Sequence, residues 1–394
     1  MSAAAPRDAG WAAPGFDAVA AARVVSRFAA DHAADGDRDG GFPKAALAEL
    51  ERAGLLAAPA PRDGSGGGLA GSFLGDEPGA CGLREVLRLI GYGDLALGRL
   101  YEGHVNALQI AARFGTDAQR RRAAADARAG HLFGVWNTDP VEGGLRLGGR
   151  GDGIVLNGVK ILASGAGYVT RALVTARACG DDPPLMVLVP LAPGERADAS
   201  GWRAQGMRAS ATGVVDFTGL ALPADAVLGG PDDYHREPFF SAGAWRFLAV
   251  QLGGIEAAFD AWRAHLVRTE RGRDPHQLAR LGEGAIAVEG ARLWVERAAR
   301  VASDADLPAA RVVAFVNLAR LAVEQAGLDV MRLAQRSVGL QAFLAAHPLE
   351  RLVRDLGVYL RQPAPDRALT AAATEILGAP DMAGDLWRAR AGDA

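Results

Sequence analysis

Apolar residues recur at helical spacing from about Phe16 to Gly130 and again beyond Phe239, with a different rhythm in between. In the first stretch Val24, Phe28 and Ala29 fall on one face, and Ala46, Leu47, Leu50 and Leu55 build a second amphipathic segment. From His131 to Gly229 the apolar runs are short and broken by Gly, Pro and Asp, at residues 153–158, 172–175, 185–189 and 213–217. Runs of that length and punctuation predict strands, spaced as in an antiparallel β-domain. Helical spacing returns over residues 248–266, 278–301, 309–337 and 349–360, enough for a four-helix bundle. The glycine-rich residues 64–68 predict a flexible loop. The expected architecture is α+β: an N-terminal α-helical domain over 1–130, a middle antiparallel β-domain over 131–235, and a C-terminal four-helix bundle within 236–394. No internal repeat is present.

Composition narrows the function classes. A chain of 394 residues, 49% hydrophobic and 23% charged, can bury a large core. Its net charge of −3 and lack of a long basic run argue against a nucleic-acid partner, and Arg120, Arg121 and Arg122 read as a solvated helix face. Cys81 and Cys179 have no paired spacing, which excludes a disulfide framework or structural zinc site and suits a reducing cytoplasm. No apolar run has signal-peptide or membrane-spanning length. Metal-ligand spacing, a nucleophile elbow and a phosphate loop are all missing. His347 reads as a helix N-terminal residue before Pro348, and His104 as a residue that packs or bonds within the first domain.

Five short motifs follow one another in order. They are Gly115-Thr116-Asp117-Ala118-Gln119; Thr138-Asp139-Pro140; Asn157-Gly158-Val159-Lys160 running on to Ser164; Gly206-Met207-Arg208 leading through Pro223 to Val227-Leu228-Gly229; and Pro348 to Arg354-Asp355. Together, over most of the chain, they resemble the acyl-CoA dehydrogenase family. The resemblance implies FAD as cofactor, with the hydroxyls of Thr138 and Ser164 at the flavin ring, where a donor tunes a reduced flavin. It implies that Arg268, or Arg271 or Arg273 beside it, reaches the FAD pyrophosphate of a neighbouring subunit, and that Gly339 is what remains of a glycine-rich turn near that cofactor. A homo-oligomer, dimer or tetramer, follows from the arginine's role.

The departures cluster where a substrate would lie. The family's catalytic glutamate stands eight residues after the Asp that Asp355 matches, and here that position is Pro363; the alternative site for the base is Trp245. Proline carries no side-chain base, so α-proton abstraction lacks its usual agent. Asp366 is the nearest acid in sequence, and it reads more readily as the N-cap of a following helix than as a replacement base. The loop that usually follows the Thr-Glu-Pro motif is missing after Pro140, and the aromatic residue over the flavin is replaced by Leu162. Three functions are compatible with this pattern. They are a flavin oxidoreductase without that base, including flavin monooxygenases of the fold; an acyl-CoA dehydrogenase with a relocated base; and a non-catalytic binding or assembly protein. The substrate is a small molecule or an acyl thioester.

Overall fold

A computed structural model describes residues 16–38, 41–60 and 77–388. The glycine-rich stretch 64–68 lies outside the described residues. Among the described residues five helices come first, α1 (Ala18–Arg38), α2 (Lys44–Arg52), α3 (Glu77–Gly93), α4 (Leu95–Phe114) and α5 (Asp117–Arg128). Ten strands follow: β1 (Phe133–Trp136), β2 (Arg146–Arg150), β3 (Gly153–Asn157), β4 (Val159–Ala163), β5 (Arg171–Ala176), β6 (Leu185–Pro190), β7 (Ala197–Asp198), β8 (Gly213–Asp216), β9 (Leu220–Pro223) and β10 (Val227–Leu228). The short α6 (Phe239–Ala242) then leads into α7 (Trp245–Arg268), α8 (Pro275–Val301), α9 (Ala309–Val338), α10 (Pro348–Tyr359) and α11 (Pro365–Gly378). The helix, strand, helix order is the one the hydrophobic rhythm predicts.

The strands form three small sheets, ordered β1-β5-β6-β10, β2-β3-β9 and β4-β8-β7. One pairing departs from the antiparallel expectation: β1 runs parallel to β5, with Phe133 opposite Arg171. Such a pair needs a long crossover, and the whole of β2 to β4 supplies it.

The first and last helical regions share a core. Helices α3 and α7 cross at a glycine contact: a Cβ on Gly91 would lie 2.2 Å from Val250 O, and one on Gly253 would lie 2.0 Å from Arg88 O. Only glycine permits so close a backbone approach. Arg88 ties the same crossing electrostatically, pairing with Glu85 at 2.6 Å and with Glu256 of α7.

Two motifs of the sequence act as clamps between regions. Thr116 and Gln119 form a capping box at the start of α5, and Gln119 Nε2 donates onward to Asp225 O at 2.9 Å and Val227 O at 2.7 Å. At the other end of the sheet region, Asp355 Oδ1 of α10 accepts from Met207 N at 2.6 Å. Arg354 donates to Gln205 O at 2.9 Å while paired with Asp37 and Glu350. The Arg-Asp signature therefore fixes the 205–207 turn against the C-terminal helices.

Candidate functional site

Two strand ends meet beside an open face. Trp136 Nε1 donates to Ser164 O at 3.0 Å, and Thr138 O accepts from Ile161 N at 3.0 Å, so the end of β1 is tied to β4. Beneath this junction Lys160, wholly buried, donates to Asp139 Oδ1 at 2.6 Å, Thr175 Oγ1 at 3.1 Å and Asn137 O at 3.3 Å. Burial pulls the lysine pKa down, and the Asp139 carboxylate opposes that pull. Thr138 is thus gripped on both sides while it remains exposed. Asp139 also accepts from Leu145 N at 3.1 Å, which closes the shortened loop after Pro140.

The hydroxyls at this junction are ordered by their neighbours. Thr212 Oγ1 meets Ser164 Oγ at 3.3 Å and Ser210 Oγ at 2.7 Å, and Ser210 donates to Met207 O at 2.8 Å. Between Thr138 and Ser164, Leu162 adopts a left-handed φ of +53° and stands 57% exposed. A branched residue is held there at a cost of about 1 kcal/mol or more. Two hydroxyl-bearing residues and an exposed apolar side chain thus sit at one strand junction, an arrangement that could meet a planar polar ring.

A cavity of about 650 Å³, which touches the sheet region through Val135 of β1, is walled by α4, residues 234–247, α9 and the segment around the start of α11. Pro363 lines it, and so does Arg246, 5% exposed, whereas the neighbouring Trp245 is packed into the core. Neither former base position therefore offers a carboxylate. Two carboxylates do reach the wall, and both are engaged: Glu102 accepts from Arg99 at 2.6 Å and from Asn106, and Glu237 accepts from Ser241 Oγ at 2.5 Å and Ser241 N at 3.1 Å. Asp366 is exposed in the first turn of α11 and is not part of the wall. The N-cap expected of it is also absent: Ala364 holds that position in a left-handed conformation, and Pro365 opens the helix.

Sequence reasoning missed the polar stripe of α4. Glu102, Asn106, Gln109 and Arg113 recur at intervals of four, three and four, on a helix that is otherwise almost wholly buried, and all four line the cavity. Polar residues at helical spacing inside an apolar helix were the signal available. Tyr234 adds a phenol whose pKa burial pushes up to about 12, so it stays a donor at neutral pH.

Arg268 and Gly339 lie elsewhere. Arg268 ends α7, 22 residues beyond Arg246, or roughly 33 Å along the helix axis. Its guanidinium is 3.4 Å from His265 Nδ1, and Arg271 donates to Ser337 O at 3.2 Å just before Gly339, whose φ is +77°. The structure gathers these residues around the C-terminal end of α7. His347 caps α10 through Nδ1, as the sequence predicts, and its Nε2 meets His265 Nδ1 at 3.2 Å. His104 bonds Leu56 O at 2.7 Å within the first region and also accepts from Phe133 N at 3.1 Å, so it reaches the first strand as well.

The acyl-CoA dehydrogenase N-terminal domain model matches residues 18–131, and the C-terminal domain model of the same family matches residues 236–360. The chain belongs to the acyl-CoA dehydrogenase family. Within it, the dibenzothiophene monooxygenase of Rhodococcus erythropolis is 29% identical over 324 residues, 75% of each chain. The L-evernosamine nitrososynthase of a Micromonospora species is 28% identical over 364 residues, 85% of this chain and 83% of the relative. The fold is also that of FMN-bound TdsC from Paenibacillus sp. A11-2, with a TM-score of 0.80 and 20% identity across 91% of this chain and 97% of the other. This acyl-CoA dehydrogenase family member is a flavin-dependent oxidoreductase with a non-standard active site. Among the described residues no helix is long and apolar enough to cross a membrane, and no group of three or more metal-ligating side chains occurs.

Proposed function

We propose that the protein is a flavin-dependent monooxygenase acting on a small molecule bound in the cavity beside Pro363. A bound reduced flavin supplies two electrons to dioxygen, one oxygen atom passing to the substrate and the other leaving as water. The observation that carries this reading is the cavity wall: Pro363 and the core-packed Trp245 occupy both base positions, and Glu102 and Glu237 are engaged by other groups. Oxygenation needs no α-proton abstraction, whereas desaturation of a thioester does. The missing loop after Pro140 argues in the same direction, against a thioester ligand. The monooxygenase named among the relatives supports the same chemistry.

In this reading Ser164 and Thr138 bond the flavin ring and Leu162 packs on it. FAD is what the family resemblance implies, and we favour FMN. The turn near the adenylate half keeps only Gly339, with Leu340 and Phe343 projecting from it, and TdsC was solved with FMN. Arg268, or Arg271 or Arg273 beside it, serves the flavin phosphate of a neighbouring subunit in a dimer or tetramer. Exposed Leu278, Ile286 and Leu293 on α8, with Val267 near Arg268, give a second copy an apolar face to cover. The division at residues 1–130, 131–235 and 236–394 is part of the same proposal.

The test supplies chemically reduced FMN and ¹⁸O₂ with a panel of aromatic, sulfur-containing and amine substrates, and follows products by mass. One labelled oxygen per product is the expected outcome. Flavin oxidation with hydrogen peroxide alone, across the panel, would count against it.

A further inference from the structure

The cavity wall carries four arginines, Arg113, Arg246, Arg320 and Arg367, against the two glutamates Glu102 and Glu237. Glu102 already serves Arg99, which lies outside the wall. This excess of positive charge sits in a chain whose net charge is −3. It is also built in. Arg246 is anchored through Nε to Asn106 Oδ1, and Asn106 in turn is held by Glu102. Arg320 is held at both terminal nitrogens, one donating to Pro363 O at 2.8 Å and the other to Asn317 Oδ1 at 3.3 Å. Its Nε is buried with no hydrogen-bond partner. Where the family resemblance places a carboxylate base, this chain thus seats a guanidinium against the carbonyl of Pro363.

Cations in a half-closed pocket lose hydration, and burial lowers the pKa of Arg113, Arg246 and Arg320 alike, although the Glu102 carboxylate opposes it at Arg246 and that of Glu324 at Arg320. An anion that entered would offset that cost, because guanidinium groups bond planar carboxylates and tetrahedral oxyanions with two donors at once. The remainder of the wall is aromatic and aliphatic, with Phe114, Phe239, Phe240 and Phe247 among its members. Arg113 itself lies over the Phe239 ring at 3.1 Å from its centroid, so one wall offers charge and apolar surface together.

We propose that the substrate is an amphipathic anion: an apolar, largely aromatic body bearing one carboxylate or sulfur oxyanion, held on the Arg320 and Arg367 side of the cavity. The proposal rests on the cavity being the substrate site of the function proposed above, and its test involves no oxygenation. Binding to the holoprotein carrying oxidised FMN is measured by calorimetry for three probes of matched shape, 2-naphthoate, 2-naphthalenesulfonate and the neutral 2-naphthamide. At least one anion should bind roughly tenfold or more tightly than the amide, the scale of one charge-assisted hydrogen bond. That preference should shrink in Arg320→Gln, be largely kept in Arg320→Lys, and weaken in Arg367→Gln, whose residue is exposed. The two anions distinguish carboxylate from sulfonate recognition. Equal or tighter binding of the amide, no binding of any probe at millimolar concentration, or an anion preference unchanged in both glutamine variants would overturn the proposal. A protein that shows the preference but oxygenates nothing would instead overturn the monooxygenase reading alone.

Discussion

Ser164 and His104 show how a single residue can be read in two ways and decided by its partners. Ser164 meets Thr212 and, in the proposed site, bonds the flavin ring, so Ser164→Ala should weaken flavin binding about fivefold, the worth of a hydrogen bond of about 1 kcal/mol. Fluorescence titration with oxidised FMN measures this, and unchanged affinity would remove Ser164 from the flavin site. His104 has both ring nitrogens committed, Nδ1 as acceptor and Nε2 as donor, and burial lowers its pKa from 6.5 to about 4. The folded-state value lies below the unfolded one, so the unfolded chain takes up the proton first. Stability from this residue is therefore complete above pH 6.5 and is lost as the pH falls from there towards about 4, by up to roughly 3 kcal/mol. Unfolding midpoints measured against pH should show that acid limb in the parent and a flatter one in His104→Gln.

Between elements, the contacts that fix the site are backbone approaches and buried polar bonds. A Cβ on Gly206 would lie 2.0 Å from Arg354 O, so Gly206→Ala should destabilise the protein by about 3 kcal/mol and loosen the clamp between the 205–207 turn and α10. Denaturant unfolding checks it, and a loss under about 0.5 kcal/mol, the range of ordinary surface substitutions, would show that the clamp yields freely. Helices and central strands were legible because their periods are set by burial, and the capping box at Thr116 was legible because it needs two residues at a fixed spacing. The parallel pairing of β1 with β5 was not, since alternation along a strand carries no record of its neighbour's direction. Asp366 misled because an Asp after proline is a common cap signal, while here Pro365 already supplies the first helical residue. The cavity stayed hidden for a similar reason: Glu102, Asn106, Gln109 and Arg113 look like scattered polar residues until α4 is seen to be buried on its other faces. Of the expected site, the segments of Thr138 and Ser164 are tied through β1 and β4, while Arg268 and Gly339 lie around the C-terminal end of α7.

At the scale of the whole molecule, Leu278, Ile286 and Leu293 of α8 are exposed, as are the arginines near Arg268. Ile286 is 76% exposed, and Ile286→Glu should drive a dimer or tetramer towards monomer without unfolding it. Light scattering at working concentration decides this, and a monomeric parent protein would contradict the proposed subunit contact. The central claim concerns the reaction: a proposed flavin enzyme in which the family's base is gone and the cavity at Pro363 is lined by arginines. Anaerobic stopped-flow mixing of the oxidised holoprotein with a panel of saturated straight-chain acyl-CoAs tests it most directly, because loss of a general base costs about 10²-fold to 10⁴-fold in rate. The account predicts that the flavin absorbance persists for every member of the panel; rapid bleaching by any of them, abolished in Glu237→Gln or Asp366→Asn, would contradict it.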